Sequence, residues 1–245
     1  MGLAVGGSWI SGETDRFSDI DLVIVTAERI SGNRERMTEF AETLGLLINA
    51  FTGEHVGESR LLICLYDDPL LHVDIKFLTP EEFRERVEDP VVFWERENCL
   101  TEIISSTRSE WPGPDYQWIE DRFWTWVHYA VLKLGRGEYF EALDFISYLR
   151  VNVIAPLLQV KNGYPPRGLR RVESGFPPDD ILRLAETVPA YEPSAIFYSL
   201  DKVIKLYREL RGTLFPESVM LNSAAEHRVM EYYERIFEES SGKFP

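Results

Sequence analysis

Apolar and polar residues alternate with a period of two in two short stretches of the first third of this chain, and apolar residues recur at helical spacing through most of the remainder. Leu3-Ala4-Val5 is a short apolar run that ends in Gly6-Gly7-Ser8. A polar loop follows, and Ser18-Asp19-Ile20-Asp21 then runs into Leu22-Val23-Ile24-Val25. On a strand Asp19 and Asp21 face one side, and Ile20, Leu22 and Ile24 face the other. Met37, Phe40, Ala41, Leu44, Leu47 and Ile48 predict a helix over residues 31–51. Residues 61–66 form an apolar run, Asp67-Asp68-Pro69 signals a turn, and 70–78 reads as the return strand of a hairpin. That strand sets His72, Asp74 and Lys76 against Val73, Ile75 and Phe77. Thr79-Pro80-Glu81-Glu82 has the form of a helix start, with an N-cap, a proline and first-turn acids.

The texture changes at the breaker cluster Trp111-Pro112-Gly113-Pro114-Asp115. Ile119, Phe123, Trp126, Val127, Ala130, Val131 and Leu134 mark a helix that stops near Gly135 and Gly137. Phe140, Leu143, Ile146 and Leu149 begin a second. After a Pro/Gly-rich loop over 162–178, helices are predicted at 179–188, from Pro193 through Leu210, and over 217–237. The expected organisation is an α/β domain over 1–110 and a helical domain over 111–245.

Composition narrows the function. The 245 residues are 44% hydrophobic, enough for a sizeable core. No apolar run approaches the roughly 18–20 residues of a membrane span, and the N-terminus lacks the pattern of a secretory signal. Cys64 and Cys99 are then expected to be reduced thiols in a cytoplasmic protein. The net charge is −15, and the one basic cluster, Arg167 to Arg171, is short. Polynucleotide binding needs basic stripes, so long nucleic acid is not the expected substrate, whereas neutral or cationic partners suit the surface.

The residue chemistry points to phosphate and metal. Two carboxylates side by side repel unless a cation lies between them, and Mg²⁺ is usually held by one or two carboxylates plus substrate phosphates. Gly7 and Ser8 offer unobstructed backbone N–H groups and a hydroxyl to such phosphates. Other motifs fail. Residues 7–14 match a phosphate-binding P-loop except that Glu13 replaces the lysine, no G-x-G-x-x-G is present, and the four histidines show no zinc-ligand spacing.

Gly-Ser after a strand, D-x-D entering a second strand, and a lone Asp in a later hairpin together resemble the nucleotidyltransferase superfamily that includes DNA polymerase β. The nearest likeness is its small antibiotic-modifying branch, the kanamycin, streptomycin and lincosamide nucleotidyltransferases. Gly7, Ser8, Asp19, Asp21 and Asp74 stand at the motif positions. The resemblance implies an α+β fold, with an N-terminal mixed-sheet nucleotidyltransferase domain flanked by helices and an α-helical bundle after it. It implies one or two Mg²⁺ ions on Asp19, Asp21 and Asp74, with Asp74 completing the metal site or accepting a proton. Gly7 and Ser8 would bind the phosphates of ATP or another NTP. A nucleoside monophosphate, AMP from ATP, would pass to a hydroxyl of a small acceptor such as an aminoglycoside-like compound, releasing pyrophosphate. Lys133 is the matching nucleotide-contacting lysine, with Glu120 and Asp121 as carboxylates earlier on the same helix. Two features depart from the pattern: Trp9 stands where antibiotic-modifying members often carry arginine, and the chain begins almost on the Gly-Ser strand, where relatives usually have a leading helix. Rival readings are a protein AMP-transferase of the antitoxin type and a nucleotide- or metal-binding protein of the same fold without turnover.

Overall fold

The computed structural model describes residues 1–241, which fall into two compact units, Met1–Trp111 and a second that begins at Pro112. The first contains β1 (Gly2–Val5), α1 (Ser8–Ser11), β2 (Ile20–Val25), α2 (Arg34–Glu42), β3 (Leu47–Gly53), β4 (Glu58–Tyr66), β5 (Leu71–Leu78), α3 (Pro80–Arg84), β6 (Val91–Glu95) and α4 (Cys99–Ser106). Its six strands form one mixed sheet in the order β3-β4-β5-β2-β1-β6. Only β2 and β5 run parallel; every other neighbouring pair is antiparallel.

Alternation along these strands sorts the side chains. Ile24, Val73, Ile75 and Phe77 pack with Leu62 and Cys64 against Met37 and Ala41 of α2. On the reverse face Val25 and Leu78 meet Phe83 of α3 and Leu100 and Ile103 of α4. The reverse face is therefore apolar where β2 and β5 end and polar where they begin, at Asp21 and Asp74. The helix start at Thr79 forms as the sequence predicts: its hydroxyl accepts from the Glu82 N–H at 3.3 Å, and the Glu82 carboxylate accepts from the Thr79 N–H at 2.8 Å.

The helix expected over 31–51 is shorter and gives way to a strand. α2 ends at Glu42, Thr43 caps it, and Leu47 to Gly53 pair with β4 as β3. The apolar residues 44–48 fit either period, and pairing with β4 decides between them. β6 and α4, which the sequence pattern did not reveal, complete the sheet edge and its cover.

The second unit is all helix: α5 (Tyr116–Arg136), α6 (Tyr139–Leu149), α7 (Ala155–Lys161), α8 (Val172–Gly175), α9 (Pro178–Ala185), α10 (Pro193–Leu214) and α11 (Ser223–Ser241). Asp115 caps α5 by accepting from the Trp118 N–H at 2.9 Å, and Gly137 in the left-handed region ends it. A π-turn over Arg150–Ile154 joins α6 to α7 as one rod, Tyr139–Lys161. By length and composition that rod is apolar enough to cross a membrane, which the sequence reading did not anticipate. Its apolar side is taken up by the protein: Ala142, Ile146, Leu149, Val153, Leu157 and Leu158 are fully buried in the helical core with residues of α5 and α10.

Candidate functional site

The site begins at the turn after β1. The Gly6 N–H donates to the Asp21 carbonyl at 2.8 Å, prolonging the β1–β2 ladder by one residue. Gly7 then adopts φ 59°, ψ −135°, backbone that side chains rarely tolerate. A Cβ on Gly7 would also lie 1.9 Å from Asp21 Oδ2, so the Asp21 carboxylate is packed directly on the glycine. Ser8 follows as the first residue of α1. Its hydroxyl is buried and makes no hydrogen bond within the protein. A buried hydroxyl left in that condition costs about 1–3 kcal/mol, and a ligand oxygen arriving there would recover it. Trp9, next in the chain, is half exposed.

Asp21 and Asp74 occupy directly paired positions of the parallel strands β2 and β5. Their backbones are thus about 4.8 Å apart, with both side chains on one face. Two full charges at about 5 Å repel by about 3 kcal/mol at an effective dielectric near 20, so the pair favours a cation. His72, two residues upstream on the same face, places Nε2 3.0 Å from Asp74 Oδ1. Lys76, two residues downstream, is turned to Glu58 at 2.8 Å. Hydrogen bonding from Arg60 first, and then from Lys76, holds the Glu58 carboxyl down at about 2. Asp19 lies just ahead of Ile20, where the strand starts. Among the described residues no group of three or more His, Cys, Asp or Glu stands close enough to hold a metal ion. The two paired carboxylates, the glycine pressed on one of them and the unsatisfied Ser8 hydroxyl nevertheless match a site in which protein supplies two oxygen ligands and substrate phosphates supply others. The opposite face of the same strands bears a cavity of about 520 Å³ lined by Ile20, Leu22, Tyr66, Leu71 and Val73, with Asp67 and Asp68 also on its wall.

A residue that the sequence reading missed joins this turn. The Gly7 N–H donates to Glu88 Oε1 at 3.2 Å across 81 positions of sequence. Arg86 fixes the loop that carries Glu88. Its largely buried guanidinium bonds Asp89 at 2.6 Å, Thr107 Oγ1 at 2.5 Å, and the carbonyls of Ile104 and Thr107 at 3.2 and 3.3 Å. Nothing in the local sequence marks Glu88, which sits between a helix end and Asp89-Pro90 like any solvated loop acid.

In the helical unit, Lys133 is engaged by Glu138 at 2.6 Å and Glu141 at 3.4 Å, with the Tyr129 ring beneath it. The hydrogen bond it donates to Glu138 above all raises its pKa. A nucleotide contact from Lys133 would require breaking both pairs. Glu120 is fully buried and accepts from Tyr207 Oη at 2.5 Å, Arg211 Nη1 at 3.3 Å and the Asn222 N–H at 2.9 Å. It ties α5 to α10 and to the residue before α11, and is no solvent-facing acid. Asp121 accepts from Gln117 Nε2 at 2.7 Å on the helix surface.

No family model and no curated protein matches the sequence. Among solved structures, the chain is similar to an aminoglycoside 6-adenyltransferase from Bacillus subtilis, at a TM-score of 0.45 and 14% identity, over 96% of this chain and 91% of that one.

Proposed function

We propose that the protein is a metal-dependent nucleotidyltransferase that moves AMP from ATP, or the monophosphate of another NTP, to a hydroxyl of a small acceptor. The observation that carries this reading is the pairing of Asp21 with Asp74 beside a glycine turn whose Ser8 hydroxyl is buried and unsatisfied. Asp21 and Asp74, with Asp19 at the strand mouth, are the residues that would hold Mg²⁺. When bound, the ion neutralises charge on the phosphates and favours departure of pyrophosphate. The Gly7 N–H and Ser8 hydroxyl donate to phosphate oxygens, fixing the tail of the nucleotide. The acceptor oxygen bonds to the α-phosphorus, the bond from that phosphorus to the β-bridging oxygen breaks, and pyrophosphate leaves. Asp74 takes the acceptor proton, and the His72 ring at 3.0 Å is placed to relay it to solvent. A net charge of −15 favours a cationic acceptor, which an amino sugar of the aminoglycoside kind would be.

The test is pyrophosphate release with Mg·ATP and a panel of amino sugars and polyols. Asp19→Asn, Asp21→Asn and Asp74→Asn are expected to lower turnover by at least roughly a hundredfold, with unchanged circular dichroism. Full activity in Asp21→Asn would refute the assignment. Binding of Mg·ATP without release to any small acceptor, but with labelling of a protein by AMP, would replace the small acceptor with a protein side chain. Trp9 in the turn favours a protein that binds without turnover, and binding without any transfer would establish that version.

A further inference from the structure

We propose that the Glu88 carboxylate occupies the seat of a nucleotide phosphate on Gly7 and yields it to the incoming triphosphate, so that Glu88 sets nucleotide affinity. The inference rests on reading Gly7-Ser8 as the phosphate turn. Its ground is that the donor assigned to a phosphate oxygen is already satisfied by an anion: the Gly7 N–H points at Glu88 Oε1, 3.2 Å away. Carboxylate and phosphate oxygens ask the same of a backbone donor, and a single N–H serves one of them well. Glu88 also shares the space above the turn with Asp21. The point where a Cβ on Gly6 would stand is 3.6 Å from both Glu88 Oε1 and Asp21 Cβ. A triphosphate entering there meets two carboxylates, and electrostatic repulsion weighs against metal-free nucleotide more than against its magnesium complex.

The loop is anchored through Arg86, whose bonds run to Asp89, Thr107 and Ile104, and by the Glu110 N–H donating to the Arg86 carbonyl at 3.1 Å. Rotation of the Glu88 side chain leaves all of these contacts in place. Glu88 is thus a positioning residue that keeps the turn formed and its N–H oriented before nucleotide arrives.

The test is calorimetry with Mg·ATP, and with ATP in EDTA, on the full chain and on Glu88→Gln and Glu88→Ala. Both variants are expected to bind Mg·ATP more tightly, Glu88→Ala by roughly tenfold, and to narrow the preference for metal-loaded over metal-free ATP. Without nucleotide, amide hydrogen exchange at Gly7 should quicken in Glu88→Ala and slow again when Mg·ATP is added. Glu85→Gln removes the same charge from an exposed position nearby and is expected to change neither quantity. Unchanged or weaker binding in both Glu88 variants, alongside a wild type that binds, overturns the inference and leaves the nucleotidyltransferase reading standing. Tightening by Glu85→Gln equal to that by Glu88→Ala overturns it too, because the effect would then be one of overall charge. Absence of Mg·ATP binding in every protein overturns both the inference and the reading beneath it.

Discussion

Gly7 meets two demands that no other residue satisfies together: positive φ, and an Asp21 carboxylate packed where a side chain would begin. Gly7→Ala is therefore expected to cost about 1–3 kcal/mol of stability through backbone strain. It should also push Asp21 off its paired position and weaken nucleotide binding. Urea denaturation and calorimetry check the two effects, and a variant unchanged in both would show that the turn is not strained against the carboxylate. At this scale much was legible. Gly7, Ser8, Asp21 and Asp74 stand out because a glycine turn and period-two alternation can be read locally. Glu88 does not, because its role comes from a contact 81 residues away and its own neighbourhood resembles ordinary loop. The commitments of Lys133 to Glu138 and of Glu120 to Tyr207 are likewise invisible, since a helical pattern shows which residues share a face but not what that face meets.

Between elements, the errors have one cause. Residues 31–51 contain apolar positions that satisfy helical spacing and strand alternation alike, and the preference for β3 is supplied by β4, a later part of the chain. β6 is only five residues long and pairs with β1 across most of the unit, so no short window reveals it. Elements with their own boundary chemistry were predictable, as at the Thr79 helix start and the Gly137 stop, whereas Asp115 reads as part of a breaker cluster and proves to cap α5. Glu120 is a buried polar tie between helices. Glu120→Ala would leave Arg211 without one of its two carboxylates and the Asn222 N–H and Tyr207 hydroxyl without their acceptor. A loss of about 3–5 kcal/mol is expected in chemical denaturation, with Glu120→Gln losing less because its amide oxygen still accepts from the Asn222 N–H while its NH2 donates to the Tyr207 hydroxyl oxygen. Equal loss in the two variants would show that packing rather than hydrogen bonding holds the helices.

Across the whole molecule, a charge of −15 on 245 residues opposes compaction. Raising NaCl from roughly 20 to 200 mM should therefore raise the melting temperature, because the screening length falls from about 20 Å to under 10 Å. MgCl₂ at equal ionic strength should raise it further in the wild type, and this extra increment should vanish in the double variant Asp21→Asn, Asp74→Asn. An increment that survives would assign the effect to diffuse counterions. The order of an α/β part followed by a helical part is evident from the change in periodicity at Trp111, while the apolar rod Tyr139–Lys161 shows that burial among neighbours and a membrane-compatible composition look alike in one dimension. The pairing of Asp21 with Asp74 carries one more implication. Were β5 to slide by one residue along β2, the backbone ladder could reform, but isoleucine would replace an acid at the mouth and the core would receive a charge. Mutational drift that preserves oil on the inner side of these two strands thereby preserves acid on the outer side. The facing of the two carboxylates is thus tied to the packing of the core beneath them.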